Sequence, residues 1–191
     1  MKVLVLTGPE SSGKSWLAAA VQERFGGLLV GEYVRYFIEQ QGRDTCYADI
    51  PAIARGQLEW EDQARAVRPP LLILDTHLLS NLLWSRSLFG DCPAWIEQAL
   101  LERRYDLHLL LDPQGVPWVA DGQRCQPQLA ERLAFHQACR DWLQGNGQAF
   151  RDLNGDWGQR RERALKSVAE LLAEPHAGVS ERSKLPDGSP G

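Results

Sequence analysis

Gly8-Pro9-Glu10-Ser11-Ser12-Gly13-Lys14-Ser15 fits the pattern G-x-x-x-x-G-K-[ST]. It stands between the apolar run Val3-Leu4-Val5-Leu6 and a helix-like stretch from Trp16 to Phe25. The apolar run has the composition of a buried parallel strand. Strand, Gly-rich turn and helix in that order make a phosphate-binding loop. The glycines permit the tight turn that aims backbone N–H groups at phosphate oxygens. The helix start adds the positive end of its dipole. In such a loop Lys14 reaches the β- and γ-phosphates and the Ser15 hydroxyl ligates Mg²⁺. The candidate ATP contacts are therefore Gly8, Glu10, Ser11, Ser12, Gly13, Lys14 and Ser15, with Trp16 just beyond them.

Outward from this loop, strands and helices alternate. Leu28-Leu29-Val30 follows the helix-ending pair Gly26-Gly27. Leu71-Leu72-Ile73-Leu74 runs into Asp75-Thr76, and Leu107 to Leu111 runs into Asp112-Pro113; Gln148-Ala149-Phe150 is the weakest strand. Helical patterns cover Glu32 to Gln41 and Asp49 to Val67, the second with Asp49 as cap and Pro51 in its first turn. Others run from Leu78 to Leu88, Trp95 to Arg104, Glu131 to Leu143 and Trp157 to Ala173. The order predicts an α/β fold, a five-stranded parallel sheet flanked by helices, with ligands at the carboxyl ends of the strands. Glu32, Asp75, Asp112 and the loop then share one rim. The stretch from Gly115 to Pro127 has no period and reads as a mobile loop or lid. Residues 1–173 form the predicted domain, and 174–191 the predicted disordered tail, rich in Pro, Gly, Ser and charge.

Composition removes several classes. With 21 Lys and Arg against 25 Asp and Glu, spread along the chain, there is no basic stripe for nucleic acid. Arg103-Arg104 and Arg160-Arg161 read as solvated helix faces. Cys46, Cys92, Cys125 and Cys139 show neither disulfide nor zinc spacing, which fits a reducing cytoplasm. The dispersed histidines form no metal motif. The opening residues read as a strand rather than a leader, and no run is long enough to span a membrane. A homo-oligomer is compatible with all of this.

Several residues can carry chemistry. Asp75 stands where a carboxylate can hold Mg²⁺ near Ser15, or can cap the following helix. Glu32 can accept the proton of an attacking hydroxyl, or can simply favour the start of its helix. Arg124 can close over the phosphates. Gln57 and Trp60, three apart on one helix face, can hold a flat heterocycle bearing a carboxamide, or can pack in the core. Trp118 reads as a packing residue. His77 can reach the cleft, whereas His108 reads as a strand-end residue and His136 as a helix-face residue.

The phosphate loop, Glu32-Tyr33-Val34-Arg35, Ile73-Leu74-Asp75-Thr76 and above all Pro117-Trp118-Val119-Ala120-Asp121-Gly122-Gln123-Arg124 together resemble the ribosylnicotinamide kinase domain of the NadR family, over about Lys2 to Ala173. The resemblance implies an adenylate-kinase-like P-loop kinase with a lid. It would move the ATP γ-phosphate to the 5′-hydroxyl of nicotinamide riboside. It implies substrate contacts from Glu32, Tyr33, Arg35, Gln57, Trp60, Asp75, Trp118 and Asp121, and catalysis by Lys14, Glu32, Asp75 and Arg124. Trp60 falls where the family places an aromatic residue against the nicotinamide ring. Ser15 and Asp75 would hold Mg²⁺, and Asn154 would lie beside adenine. The roles of Glu32 and Asp75 are interchangeable at this level. The family tends to have Trp where this chain has Gly31, and its acid pair around the strand-end Thr here becomes Asp75-Thr76-His77. Full-length NadR carries an adenylyltransferase domain before the kinase. This chain opens at the kinase strand, so the expectation is a standalone kinase. Two alternatives remain: a P-loop kinase of another nucleoside or small alcohol, and a regulatory nucleotide-binding ATPase.

Overall fold

The protein is described over residues 1–174 by a computed structural model. Five strands pair as one wholly parallel sheet. They are β1 (Lys2–Thr7), β2 (Leu28–Val30), β3 (Leu71–Asp75), β4 (Leu107–Leu111) and β5 (Phe150–Leu153), in the order β2-β3-β1-β4-β5. Because strands alternate their side chains, each run serves two cores. Val3, Val5, Leu72, Leu74 and Leu110 face one side. There they meet α3 (Ile50–Ala66), α4 (Leu78–Phe89), α5 (Ala94–Leu101) and α6 (Leu129–Gly145). Leu4, Leu6, Leu71, Ile73, Leu107, Leu109 and Leu111 face the other, against α1 (Lys14–Phe25) and α7 (Trp157–Ala173). The remaining helix, α2 (Tyr33–Gln41), buries no residue completely and leans on α3. The Tyr33 ring occupies the space that a Cβ at Gly56 would need.

The five-stranded parallel sheet is as expected, with one strand displaced. β5 begins at Phe150, not Gln148, and runs through Arg151 and Asp152 to Leu153. Its polar middle hid it from an apolar-run criterion. As an edge strand it tolerates charge: the Asp152 carboxylate accepts both ends of the Arg140 guanidinium at 2.6 and 2.7 Å. Asp49 does not cap α3 with its side chain. Its carboxylate instead accepts the Cys46 N–H and the Arg43 guanidinium.

Two arginines expected on solvated faces are built in. Arg160, only 1% exposed, donates to the carbonyls of Gly155, Asp112 and Gln114, so α7 pins the loops after β4 and β5. Arg103 pairs with Asp62 and with Glu61, a carboxylate buried completely and also bound by Arg65 and the Tyr105 hydroxyl. Arg104 and Arg161 are exposed as expected. Glu174 ends α7; the rest of the predicted tail lies outside the described residues. Among those residues no helix is long and apolar enough to cross a membrane.

Candidate active site

Parallel pairing puts every strand's carboxyl end on one rim. β1 pairs with β3 so that Leu6 lies opposite Asp75. The loop from Gly8 to Ser15 therefore starts beside the tip carrying Asp75 and Thr76. Gly8 has φ +133°, and a Cβ there would press against the Leu111 carbonyl 2.7 Å away. Gly13 has φ +93°, and a Cβ there would overlap the Trp157 ring. The motif's two glycines are thus demanded both by the turn and by close neighbours. Inside the turn, Lys14 Nζ donates to the carbonyls of Gly8 (3.0 Å) and Pro9 (2.8 Å), and Ser12 Oγ donates to Pro9 (2.8 Å).

A cavity of about 280 Å³ opens on this loop. Its wall includes Glu10 to Trp16, Glu32 and Arg35 of the β2–α2 corner, Thr76 at the tip of β3, and Arg124 of the lid. Of the predicted catalytic set, Lys14, Glu32 and Arg124 thus share one chamber. Asp75 is 8% exposed at the adjoining strand tip, and its neighbour Thr76 supplies the wall. Asp112 shares the rim but turns its carboxylate to the Gln114 N–H.

The lid is regular only in its anchoring. The Glu10 carboxylate accepts from Trp118 Nε1 (2.7 Å), the Gln126 N–H (2.7 Å) and the Cys125 N–H (3.1 Å), while Ser11 Oγ accepts from the Val119 N–H (3.2 Å). On the opposite side Arg35 bridges Glu32 (3.0 Å) and Asp121 (2.8 Å), and Asp121 also meets Arg124 at 3.2 Å. Burial alone would push the Asp121 carboxyl up and the Arg35 guanidinium down. Burial is the largest single influence on each, yet it is outweighed jointly: by the bond to Arg35, the Gln123 N–H and the charges of Arg35 and Arg124 for Asp121, which lies below the usual carboxylate range, and by Asp121 and Glu32 for Arg35, which lies above its own. Asp121 Oδ1 additionally accepts the N–H groups of Gln123 and Arg124, which shapes the turn that carries Arg124 inward.

Other expectations are placed elsewhere. Gln57 lines the cavity, but both ends of its amide are committed: Oε1 accepts the Tyr33 N–H at 2.9 Å and Nε2 donates to the Gly31 carbonyl at 3.3 Å. Trp60 does not line the chamber. It packs against Tyr33 and Tyr36, beside a shallow groove along β2, because its position on α3 faces the sheet's outer edge. Tyr33 turns to the same cluster. Trp118 serves the lid anchor rather than the cavity wall. Asn154 is exposed, its side chain held by Arg163, and lies outside the cavity wall. His77 is completely buried, its Nε2 3.3 Å from Nε2 of His108, because α4 starts there and turns the ring into the core. His108 lies inside β4 rather than at its end, and His136 is buried on α6.

Four features escaped the sequence reading. Thr76 has φ +76°, a conformation costly for a β-branched residue, and its buried Oγ1 has no hydrogen-bond partner among the described residues. Trp157 meets Trp16 edge to face at 4.9 Å above Gly13. Asn81 and Trp84 of α4 line the cavity. Trp157 was signalled by its place just after Asn154-Gly155. The α4 pair had no local signal, since a strongly apolar helix reads as core.

The chain is similar to known proteins in sequence and in fold. The chain is 28% identical over 179 residues to the "Trifunctional NAD biosynthesis/regulator protein NadR" of Salmonella typhimurium, covering 91% of this chain and 43% of that protein. The Escherichia coli protein of the same name gives the same figures. The chain therefore spans less than half the length of these relatives. A crystal structure of NadR protein in complex with NR superposes with TM-score 0.76 at 22% identity, over 91% of this chain and 52% of that one. Deoxyadenosine kinase from M. mycoides superposes with TM-score 0.65 at 13% identity, over 88% and 99%. The fold is that of P-loop kinases, as the sequence led us to expect. The family model described as an AAA domain matches residues 3–160, from the first strand through the phosphate loop to the start of the last helix, and this chain belongs to that family.

Proposed function

We propose that this chain transfers the γ-phosphate of ATP to the 5′-hydroxyl of nicotinamide riboside, giving nicotinamide mononucleotide and ADP. The observation that carries the reading is that one lidded cavity is walled both by Lys14 of the phosphate loop and by Glu32. Lys14 would hold the transferred phosphate and Glu32 would take the proton of the attacking hydroxyl. The likeness to NadR, a protein crystallised with NR, supports this acceptor over others.

In this reading the backbone N–H groups of Gly13 to Ser15 and the Lys14 ammonium hold the triphosphate. The acceptor's 5′-oxygen attacks the γ-phosphorus, the bond to the β–γ bridging oxygen breaks with its electron pair leaving on ADP, and the hydroxyl proton passes to Glu32. Arg35 orients Glu32 from 3.0 Å. Arg124, brought inward by Asp121, neutralises charge on the group in transit. Trp16 and Trp157 offer aromatic surface to adenine beside the loop.

The donor set suits Mg²⁺. Ser15 presents an exposed hydroxyl to the cavity, and the Asp75 carboxylate, at the adjoining strand tip, is engaged in no hydrogen bond or ion pair among the described residues. Both are hard oxygen donors. Bound there, the ion would neutralise charge on the β- and γ-phosphates. The free thiols of Cys46, Cys92, Cys125 and Cys139 support a cytoplasmic setting.

Another nucleoside is the second reading. It is favoured by Gly31, around which a Cβ would meet nothing within 4 Å, and by Trp60 lying outside the chamber. Coupled ADP detection with nicotinamide riboside, adenosine, cytidine and uridine separates the two. Stimulation by nicotinamide riboside above the rest is expected, and preference for another nucleoside would reassign the acceptor.

A further inference from the structure

Part of the cavity wall is supplied by α4. Asn81, Trp84 and Leu88 stand three and four positions apart, so they share the helix face that lines the chamber. Ile38 of α2 and Ile53 of α3 face the same space. Trp84 is held in place by Phe135, ring centroids 4.9 Å apart. Ile38, Ile53, Trp84 and Leu88 give this part of the wall apolar and aromatic surface, which suits a flat heterocycle.

Thr76, Asn81 and Gln123 of the cavity wall each carry a buried polar atom without a hydrogen-bond partner among the described residues, and of these Asn81, through Oδ1, is the one that stands beside Trp84 on α4. Such groups are few in native proteins and each calls for a reason. Gln57, the amide that sequence pointed to, already spends one acceptor and one donor position on the backbone of Tyr33 and Gly31. A side-chain amide can present either its oxygen or its NH₂, and so pairs with a primary carboxamide through both.

We propose that Asn81 is the residue that reads the polar edge of the acceptor's base, with Trp84 as the aromatic wall beside it. The base would then lie along α4 with its sugar directed toward Thr76 and Glu32. This rests on the nucleoside-kinase reading above.

The test uses the full chain carrying Asn81→Leu, with Asn81→Ala as a second variant in case the larger side chain disturbs folding. Steady-state constants are measured for ATP and for whichever of nicotinamide riboside, adenosine, cytidine and uridine the wild-type chain phosphorylates best. We expect the acceptor KM to rise about tenfold or more, as for a lost buried hydrogen bond. The KM for ATP should stay within about twofold. The melting temperature of the Leu variant should be unchanged or higher, because an unpaired buried polar group has been removed. A merely structural Asn81 would instead lower the melting temperature and leave the acceptor KM alone. If the wild-type chain is active and both variants keep the acceptor KM, the inference is overturned while the kinase reading stands. If none of the four nucleosides is phosphorylated, the kinase reading fails and the inference falls with it.

Discussion

The carboxylate of Glu10, inside the phosphate loop, accepts the indole N–H of Trp118 from 2.7 Å, across 108 positions of sequence. Two lid amides, Cys125 and Gln126, converge on the same carboxylate. The loop that grips phosphate is therefore also the latch of the lid. Glu10→Ala should strand three donors at once. We expect kcat/KM to fall on the order of 10-fold to 100-fold, since hydrogen bonds to a charged group are worth about 1.5–3 kcal/mol when shielded and less where water reaches them. Cys125, exposed like Cys46, gives a second readout: burial and the charge of Glu10 hold its thiol up, so its alkylation relative to Cys46 should accelerate in the variant. Equal rates in both proteins would show that the lid is held by something else.

Thr76 carries strain in the wall of the chamber. A β-branched residue at φ +76° costs on the order of 1–3 kcal/mol, and the backbone keeps it there by donating the Thr76 N–H to the Leu6 carbonyl at 3.1 Å. Ordinarily Ala is more stabilising than Gly. At this position the order should reverse, with Thr76→Gly more stable than Thr76→Ala by about 1 kcal/mol, because only Gly relaxes at positive φ. Both variants should lose activity. Chemical denaturation of the two decides the matter, and an Ala variant as stable as the Gly variant would remove the strain argument.

Buried histidines tie stability to pH. His108 Nδ1 lies 3.1 Å from the Ala149 carbonyl, which only accepts, so Nδ1 carries the proton and Nε2 accepts from His77. Both rings are neutral in the fold. Burial, assisted by His108, holds His77 well below the usual histidine value, and burial brings His108 to about 4. The unfolded chain takes up protons near pH 6.5, while the folded chain does not. Their contribution is thus fully present above about pH 6.5 and is lost as pH falls toward the folded values, by roughly 1.4 kcal/mol per unit for each histidine. Melting temperature should fall between pH 7 and pH 5, and His77→Phe should flatten that slope. A flat wild-type profile would contradict the buried neutral pair.

What the sequence disclosed follows from how local each signal is. The phosphate loop was legible because its turn is specified by adjacent residues, Gly8 and Gly13, whose positive φ angles any fold of this kind requires. Four strands were legible as apolar runs, three of them, β1, β3 and β4, buried along their whole length. β5 was displaced because an edge strand tolerates Arg151 and Asp152. Within the site, Glu32, Arg35, Asp121 and Arg124 were found as motifs, and the ion pairs joining them span the two sides of the chamber. Trp60 and Gln57 illustrate the limit. Helical spacing correctly put them near one another, but only the packing of α2 on α3 decides that Trp60 faces outward and that Gln57 is consumed by a turn. Asn81 and Trp84 were hidden for the converse reason: a cavity-lining face of a buried helix has the same composition as a packed one.

The central claim is that phosphate leaves ATP for an alcohol and not for water, and isotope transfer tests it most directly. The purified chain would be incubated with Mg²⁺, nicotinamide riboside and ATP labelled on the γ-phosphate, and the products separated. We predict label in nicotinamide mononucleotide, one equivalent for each ADP formed, and at least a 10²-fold loss with Lys14→Ala. Label found only in inorganic phosphate, at a rate indifferent to the riboside, would contradict the account.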